Sequence, residues 1–338
     1  IITGRYVSME DSTILELWSR ARTGESVLLR VKGVKPWFEI TPNGQWDNNS
    51  DYPPLPENFD EVVSISEPVM KWTYLGNKPV WKVFVTQPFV VPRMRQELSG
   101  KWTILSGDIP FVNRFFLDGD LSMHVAIDGE LKQTEHPVDM CVEVTMSDVS
   151  DCKPFPAPFR ILSFDLETSI AHDTILCAAA VVEDMGSGER SRHTFSGNEK
   201  SILQGMTKLV RESDPDIITG YNIDNFDMGR IVDRANIVSG NNKSLRAETM
   251  GWGRVSSTEQ GRRRDALIPN RGTSRAWNMA GRCVMDAWWQ ARQALKPQRE
   301  TLKFVARLLF PQDEEMQKID IDASNMDEEW ANRPDEVV

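Results

Sequence analysis

Cysteine is scarce in this chain of 338 residues. The cysteines stand far apart, and no two of them form a CxxC pair: Cys141, Cys152, Cys177 and Cys283. Such spacing argues against a disulfide framework or a zinc ribbon and indicates a reducing, cytoplasmic compartment. The few histidines show no metal-ligand spacing either. Long apolar runs are also missing: no window approaches about 18 uncharged apolar residues, so the sequence predicts no membrane span and no membrane partner.

Basic residues are in deficit, with 39 Lys and Arg against 50 Asp and Glu and a net charge of −11. That balance argues against a nucleic-acid partner, because phosphate binding draws on Lys and Arg. The charges are unevenly distributed, however. Residues 229–310 carry a net charge of +10, whereas residues 311–338 carry −8 and the first 228 residues carry −13. One basic segment therefore lies inside an acidic chain.

The length suggests two domains. Prolines at positions 154, 156 and 158 deny helix and favour an extended linker between them. Before this linker, β-branched and aromatic residues predict mostly strands. After it, strands alternate with helical patterns, which is typical of a mixed α/β domain with a covered sheet. We therefore predict a strand-rich domain over residues 1–150 and an α/β domain over residues 151–338.

The sharpest feature is the sequence Phe-Asp-Leu-Glu-Thr at residues 164–168. Positions i and i+2 of a strand share one face, so Asp165 and Glu167 are expected to project together. Two carboxylates that close repel each other unless a cation lies between them. Hard cations such as Mg²⁺ and Mn²⁺ take oxygen ligands of this kind. The alternative is an exposed strand end with two solvated acids.

A third acid follows the strand predicted at residues 216–220. Asp227 is expected in the first turn of a helix, where the helix dipole favours a negative charge. By itself it is an ordinary helix-start acid. If the strand ends adjoin, Asp227 becomes a third carboxylate facing Asp165 and Glu167. Three converging acids predict a two-metal site for phosphodiester cleavage.

These motifs resemble those of family B DNA polymerases, in their archaeal and delta-type form. Residues 164–168 resemble the first exonuclease motif, and residues 220–227 resemble the second, Tyr-Asn-x-x-x-Phe-Asp. Later pieces follow in the family's order: residues 253–255, 262–265, 281–286 and 301–303. The resemblance implies a ribonuclease H-like 3′→5′ proofreading exonuclease domain with Asp165, Glu167 and Asp227 as catalytic metal ligands for Mg²⁺ or Mn²⁺.

The resemblance also implies the DNA contacts. They come from the two motifs and from the arginines of the basic segment, which suit backbone phosphates: Leu166, Thr168, Asn222, Phe226, Arg254, Arg262, Arg263 and Arg264. A solvated loop is the alternative for the arginines. The expected partner is DNA, both as a single-stranded 3′ end and as template.

The first 150 residues resemble the family's N-terminal domain, which in archaeal members catches template uracil. Carried over by position, that pocket consists of Pro36, Trp37, Pro88, Val91, Phe111 and Arg114. Trp37 stands where a tyrosine is more usual, which puts the width of the pocket in doubt. The alternative is that these residues only pack a strand against a helix.

The family's third exonuclease motif, Tyr-x-x-x-Asp, does not occur after residue 227, and the polymerase palm, fingers and thumb are absent. We therefore expect the N-terminal and exonuclease portion of a DNA-directed DNA polymerase, weakly active or inactive alone. A C-terminal fragment or the remainder of the same polypeptide would complete it. Two alternatives stay open: a noncatalytic DNA-binding or scaffolding subunit, and a stand-alone nuclease that uses Asp320, Asp322 or Asp327.

Overall fold

A computed structural model describes residues 1–10, 12–43, 53, 55–256, 258–259, 268–269, 277–313 and 321–337. The first eight strands are β1 (Thr3–Ser8), β2 (Thr13–Arg20), β3 (Ser26–Lys32), β4 (Trp37–Pro42), β5 (Val62–Ile65), β6 (Val69–Thr73), β7 (Gly76–Val85) and β8 (Trp102–Leu105). The remaining strands are β9 (Val125–Ile127), β10 (Glu130–Leu131), β11 (Met140–Thr145), β12 (Val149–Asp151), β13 (Arg160–Thr168), β14 (Ile175–Asp184), β15 (Arg190–Ser196), β16 (Ile217–Gly220), β17 (Ile268–Pro269), β18 (Trp277–Asn278) and β19 (Cys283–Asp286).

The α-helices lie mostly in the second half of the chain. Their bounds are α1 (Val90–Leu98), α2 (Phe111–Asp118), α3 (Glu199–Ser213), α4 (Asp227–Ser239), α5 (Lys243–Met250), α6 (Ala287–Leu295), α7 (Leu302–Leu309), α8 (Met326–Asn332) and α9 (Pro334–Val337). No helix in the ranges described above is long and apolar enough to cross a membrane.

Two large sheets dominate the N-terminal part, beside a small sheet in which β9 pairs with β12. One has the strand order β1-β2-β3-β11-β10 and packs its apolar face on helix α2. The other has the order β5-β7-β4-β8, with β6 paired to β7, and packs on helix α1. Each sheet has one apolar face, and a helix covers it, which gives a two-layer arrangement with the core between sheet and helix.

A third sheet follows, with the order β15-β14-β13-β16-β19. Strand β14 runs antiparallel to β13, whereas β16 and β19 run parallel to it. Helices α3, α4 and α5 supply buried side chains to the same core as this sheet, which explains why β14 is an apolar run. The predicted fold class, a strand-rich N-terminal part followed by a ribonuclease H-like α/β part, is confirmed. The division at residues 150 and 151 stays a prediction.

Strand β2 joins the first sheet to the third. Because side chains alternate along a strand, Leu15 and Leu17 enter the core beneath α2, whereas Trp18 and Arg20 point the other way. Arg20 donates a hydrogen bond to Asp216, just before β16. Trp18 packs so closely on Gly281 that a Cβ at that position would lie 2.9 Å from the indole ring. Nearly every residue of β2 is consequently buried.

Candidate functional site

Strand β13 carries the first two acids of the site. Its side chains alternate between the fully buried Phe164 and Leu166 and the half-buried Asp165 and Glu167. The two carboxylates therefore share one face of the strand, as the sequence predicts. In the antiparallel register Glu167 lies opposite Cys177 of β14.

Asp227 begins helix α4 and lies against the same strand. Its side chain is 2% exposed, and its Oδ1 accepts a hydrogen bond of 3.2 Å from the Leu166 N–H, midway between the two strand acids. Burial first, and then the charge of Asp165, raise the pKa of Asp227 to about 7, and Glu167 acts in the same direction. The structure thus brings the three predicted acids to one strand end, close enough to repel each other.

This strand end has the donor chemistry of a divalent-cation site. Carboxylate oxygens suit Mg²⁺ or Mn²⁺, and a cation between the acids would relieve their repulsion. Among the described residues, no three His, Cys, Asp or Glu side chains already stand in an arrangement that could hold a metal ion together. The donor chemistry and the electrostatics of this site therefore fit a metal ion, although the described side chains of Asp165, Glu167 and Asp227 are not arranged around one.

The loop between β16 and α4 determines where Asp227 lies. Gly220 ends β16 so close to β13 that a Cβ there would collide with the Phe164 carbonyl oxygen, which requires glycine. Asn222 has a φ of +67°, a left-handed conformation that an L-residue adopts only when its surroundings hold it. The chain then enters helix α4 at Asp227.

Asp286 fixes the conformation of this loop through hydrogen bonds. Its Oδ1 accepts hydrogen bonds of 2.8 Å from the N–H groups of Asn222 and Trp288, and its Oδ2 accepts one of 3.0 Å from the Asp224 N–H. It is 3% exposed and lies opposite Gly220 in the parallel register of β16 and β19. The sequence interpretation missed this role, although an acid at the end of β19, directly before helix α6, was the available signal.

The electrostatic field around the site is negative. Burial and the nearby Asp286 raise the pKa of Asp224 to about 6. Burial, followed by Glu167 and Asp165, raises the pKa of the Cys177 thiol to about 12. Burial is the larger cause of both shifts, and the smaller contribution from the neighbouring acids is the part that would favour a cation.

The predicted DNA contacts within the two motifs lie in different environments. Phe226 is 37% exposed beside Asp227, and Thr168 and Asn222 are half-buried. Leu166 is 3% exposed in the core of the third sheet, so its side chain is not available to DNA, and that prediction is corrected. The apolar strand pattern around Leu166 accounts for its burial.

Arg254 also departs from its prediction. Its side chain is fully buried and bonds to Asp214, to Asp216 and to the Gly281 carbonyl, so it cannot meet a DNA phosphate. A structural ion-pair role replaces the predicted phosphate contact. The other predicted arginines, Arg262, Arg263 and Arg264, lie outside the described residues.

Arg254 belongs to a buried charge cluster that we define by five side chains: Arg20, Arg254, Arg282, Asp214 and Asp216. Asp216 is fully buried and accepts 2.8 Å hydrogen bonds from Arg20 and Arg254. Burial opposes ionisation of Asp214, yet the charges of Arg282 and Arg254 outweigh it and lower the pKa of that carboxyl. The cluster ties β2 to the third sheet.

The predicted uracil pocket is a mostly buried set of residues. Pro36, Val91, Phe111 and Arg114 are buried, and Pro88 is half-buried. The Trp37 indole has the Lys82 ammonium 4.0 Å from its ring centroid and the Arg114 guanidinium 3.9 Å from it. Its Nε1 also donates to Asp118 Oδ2 at 2.7 Å. The Trp37 ring is therefore already in contact with two cations, and the pocket itself stays a prediction.

The alternative acids near the end of the chain have other roles where they are described. Asp327, at the start of α8, accepts hydrogen bonds from the N–H groups of Ile170 and Ala171, directly after β13. Asp322 caps a short 3₁₀ turn through the Ser324 N–H. Asp320 lies outside the described residues. Asp327 thus holds the turn that follows the motif strand.

Residues 194–305 match the family model described as DNA polymerase family B, exonuclease domain. This chain carries that domain. The match includes Asp227 and Asp286 and begins after β13. The resemblance predicted from the motifs is confirmed.

Relatives of the exonuclease domain and its N-terminal region come from eukaryotes and archaea. The DNA polymerase delta catalytic subunit of Oryza sativa is 25% identical over 291 residues, which is 67% of this chain and 26% of that protein. A DNA polymerase of Archaeoglobus fulgidus is 29% identical over 157 residues, 45% of this chain and 20% of that protein. The chain therefore spans about a quarter or less of the length of these relatives.

The fold is shared with a solved structure, the family B DNA polymerase of the archaeon Pyrobaculum calidifontis. The two superpose with a TM-score of 0.73 at 17% identity, over 98% of this chain and 42% of that one. At this identity the likeness establishes the fold. It extends over the N-terminal sheets as well as the exonuclease domain.

Proposed function

We propose that this chain is the N-terminal and proofreading-exonuclease portion of a DNA-directed DNA polymerase, and that its exonuclease domain removes mispaired 3′ nucleotides. The observation that carries the proposal is the placement of Asp227 against β13. Its carboxylate accepts a hydrogen bond from the N–H of Leu166, the residue between Asp165 and Glu167. Three carboxylates at one strand end suit phosphodiester hydrolysis. The match to the exonuclease domain of family B DNA polymerases supports DNA as the substrate.

Asp165, Glu167 and Asp227 would hold Mg²⁺ or Mn²⁺. When bound, such ions activate water and stabilise the leaving oxygen of a phosphodiester. The chain's own contribution is to position the acids, because the Leu166 N–H fixes the Asp227 carboxylate and Asp286 fixes the loop before it. The raised pKa of Asp227 reflects its burial and, after that, repulsion from Asp165, which a divalent cation would offset.

Phe226 and Asn222 would receive the single-stranded 3′ end. The exposed Phe226 ring offers a stacking surface for a base, since stacking on aromatic side chains tolerates any base. Asn222 lies at the opposite end of the same loop. The rest of the polymerase, which the relatives contain beyond the matched region, is the proposed partner.

The experiment combines cleavage with metal binding. The chain in excess is incubated with 5′-labelled single-stranded DNA and Mn²⁺, and Mn²⁺ binding is titrated separately by calorimetry. We expect shortening from the 3′ end, weak in this chain alone, and Mn²⁺ binding, both lost in Asp165→Ala. Asp184→Ala is the matched control, because Asp184 lies on the same sheet opposite Arg160, at the far end of β13 from Asp165.

The opposite outcome is equally concrete. If Asp165→Ala changes neither cleavage nor Mn²⁺ binding, a metal-dependent nuclease site that includes Asp165 is excluded. Metal-independent DNA binding that survives this substitution, without cleavage, would instead identify a noncatalytic DNA-binding subunit. Cleavage that Asp322→Ala or Asp327→Ala abolishes would identify a stand-alone nuclease with a different ligand set.

A further inference from the structure

Arg230 lies one turn after Asp227 on helix α4, at the edge of the candidate site. Residues three apart on a helix are neighbours on its surface, so Arg230 lies on the same side as the Asp227 carboxylate. Its guanidinium carbon is 5.3 Å from the centre of the Phe226 ring. Its side chain is 30% exposed, and Phe226 is 37% exposed. No exonuclease motif drew attention to this residue.

The ion pair of Arg230 leaves its guanidinium accessible. Nη1 pairs with Oδ1 of Asp173, whose side chain is 62% exposed in the turn between β13 and β14. An exposed pair of this kind contributes little stability and exchanges readily with solvent. A guanidinium has five N–H donors in a planar fork, so one carboxylate oxygen does not saturate it.

The pairing of Arg230 with Phe226 has the chemistry of a nucleotide contact. An exposed aromatic ring stacks a base, and a neighbouring guanidinium binds a phosphate with two parallel hydrogen bonds. Asp165, Glu167 and Asp227 repel a polyanion, so a cation at their edge would offset the repulsion felt by an incoming strand.

We propose that Arg230 binds a backbone phosphate of a single-stranded DNA 3′ end whose base stacks on Phe226. This inference rests on the proposed function, because it assumes that DNA enters at Asp227. It adds a residue that positions the substrate and does not take part in the chemistry itself.

Arg234, one turn further along the same helix, provides a matched control. Its Nε and Nη2 bond to the two oxygens of Glu199 at 2.7 and 2.8 Å, and both side chains are only 13–14% exposed. Glu199 also accepts a hydrogen bond from the Ile175 N–H. Arg234 therefore has the same residue type, helix and kind of partner as Arg230, but its charge is fully committed within the protein.

The test measures how DNA affinity depends on salt. A fluorescein-labelled oligothymidylate of about 12 nucleotides is titrated by anisotropy in EDTA, across a series of salt concentrations, with thermal melts to confirm folding. For single strands each phosphate contact contributes about 0.7 to the slope of log K against log salt. We expect Arg230→Gln to reduce the slope by about 0.7 and to weaken binding about tenfold at low salt.

The companion variants give distinct results. Arg230→Lys should retain the slope, because it retains the charge. Phe226→Ala should weaken binding without changing the slope, and Arg234→Gln should change neither. An unchanged slope in Arg230→Gln, or an equal fall in Arg234→Gln, would overturn the inference.

The outcome also separates this inference from the proposed function. Cleavage that depends on Asp165, together with an unchanged slope in Arg230→Gln, removes only the role of Arg230. A reduced slope without any cleavage removes only the nuclease. If the unmodified chain does not bind the oligonucleotide at all, both are wrong.

Discussion

Replacing Asp216 by asparagine should destabilise the whole chain severely. Asp216 accepts hydrogen bonds from Arg20 Nε at 2.9 Å, from Arg20 Nη2 and Arg254 Nη2 at 2.8 Å, and from the Arg160 N–H at 3.0 Å. The side chains of Asp216, Arg20 and Arg254 are all 0% exposed. The substitution keeps the size of the side chain but removes one of two negative charges among three buried guanidinium groups.

The expected magnitude follows from that burial. Removing one partner of a buried ion pair typically costs about 3–5 kcal/mol, because the other charge stays in the interior uncompensated. For a chain of this size such a loss lowers the melting temperature by about 4–7 °C. Tryptophan fluorescence during urea unfolding is a suitable assay, since Trp18 and Trp252 are both buried.

Asp184→Asn is the control for this measurement. Asp184 also pairs with an arginine, Arg160, but the two side chains are 33% and 38% exposed. A surface pair of this kind contributes about 1 kcal/mol or less. If Asp216→Asn cost no more than Asp184→Asn, the buried charge cluster would not be holding β2 to the third sheet, and the reasoning would be wrong.

Three further predictions concern the site and the N-terminal pocket. Asp286→Asn should reduce Mn²⁺ affinity about 10- to 100-fold, as loss of a supporting residue does in metal sites, because Asn222 and Asp224 lose the carboxylate that orders their loop; calorimetry measures this, and unchanged affinity would refute it. In EDTA, the contribution of Asp227 to stability should fall as pH rises from 3.8 to about 7, since the folded state raises the pKa of Asp227 and so favours its protonated form. Asp227→Asn should therefore be the more stable protein at pH values above about 7 in urea titrations, and a less stable variant would contradict the electrostatic account. Because Lys82 and Arg114 already lie over the Trp37 ring, single strands with uracil or thymine should bind within about twofold of each other by anisotropy, and a preference above about tenfold would show that the pocket opens.

The placement of the three acids could be predicted because their positions follow from local periodicity. An acid at i and i+2 of a strand, and another at a helix start, are geometric statements that hold whatever the rest of the fold does. Asp165, Glu167 and Asp227 accordingly lie together. Their fit to a metal was implied by family resemblance and stays a proposal.

Long-range partners could not be predicted in the same way. Arg254 looked like a phosphate contact because it lies in the basic segment, yet its partners lie 38 and 40 residues away at Asp216 and Asp214. Nothing local to Trp37 shows that Lys82 and Arg114 would lie over its ring. Helix α5 was missed too, although Asn242 caps it through the Leu245 N–H and is a recognisable helix-start residue.

Strand β2 has a consequence for how the protein can be taken apart. The proline-rich linker is the domain boundary that the sequence predicts. A fragment that began there would lack β2 and would expose the surface around Gly281 that packs on Trp18. It would also lose Arg20 from the buried charge cluster, in which Arg20 pairs with Asp216. We therefore expect the two parts to lose their structure in one cooperative step. Modularity in the sequence would then coexist with a single energetic unit in the fold.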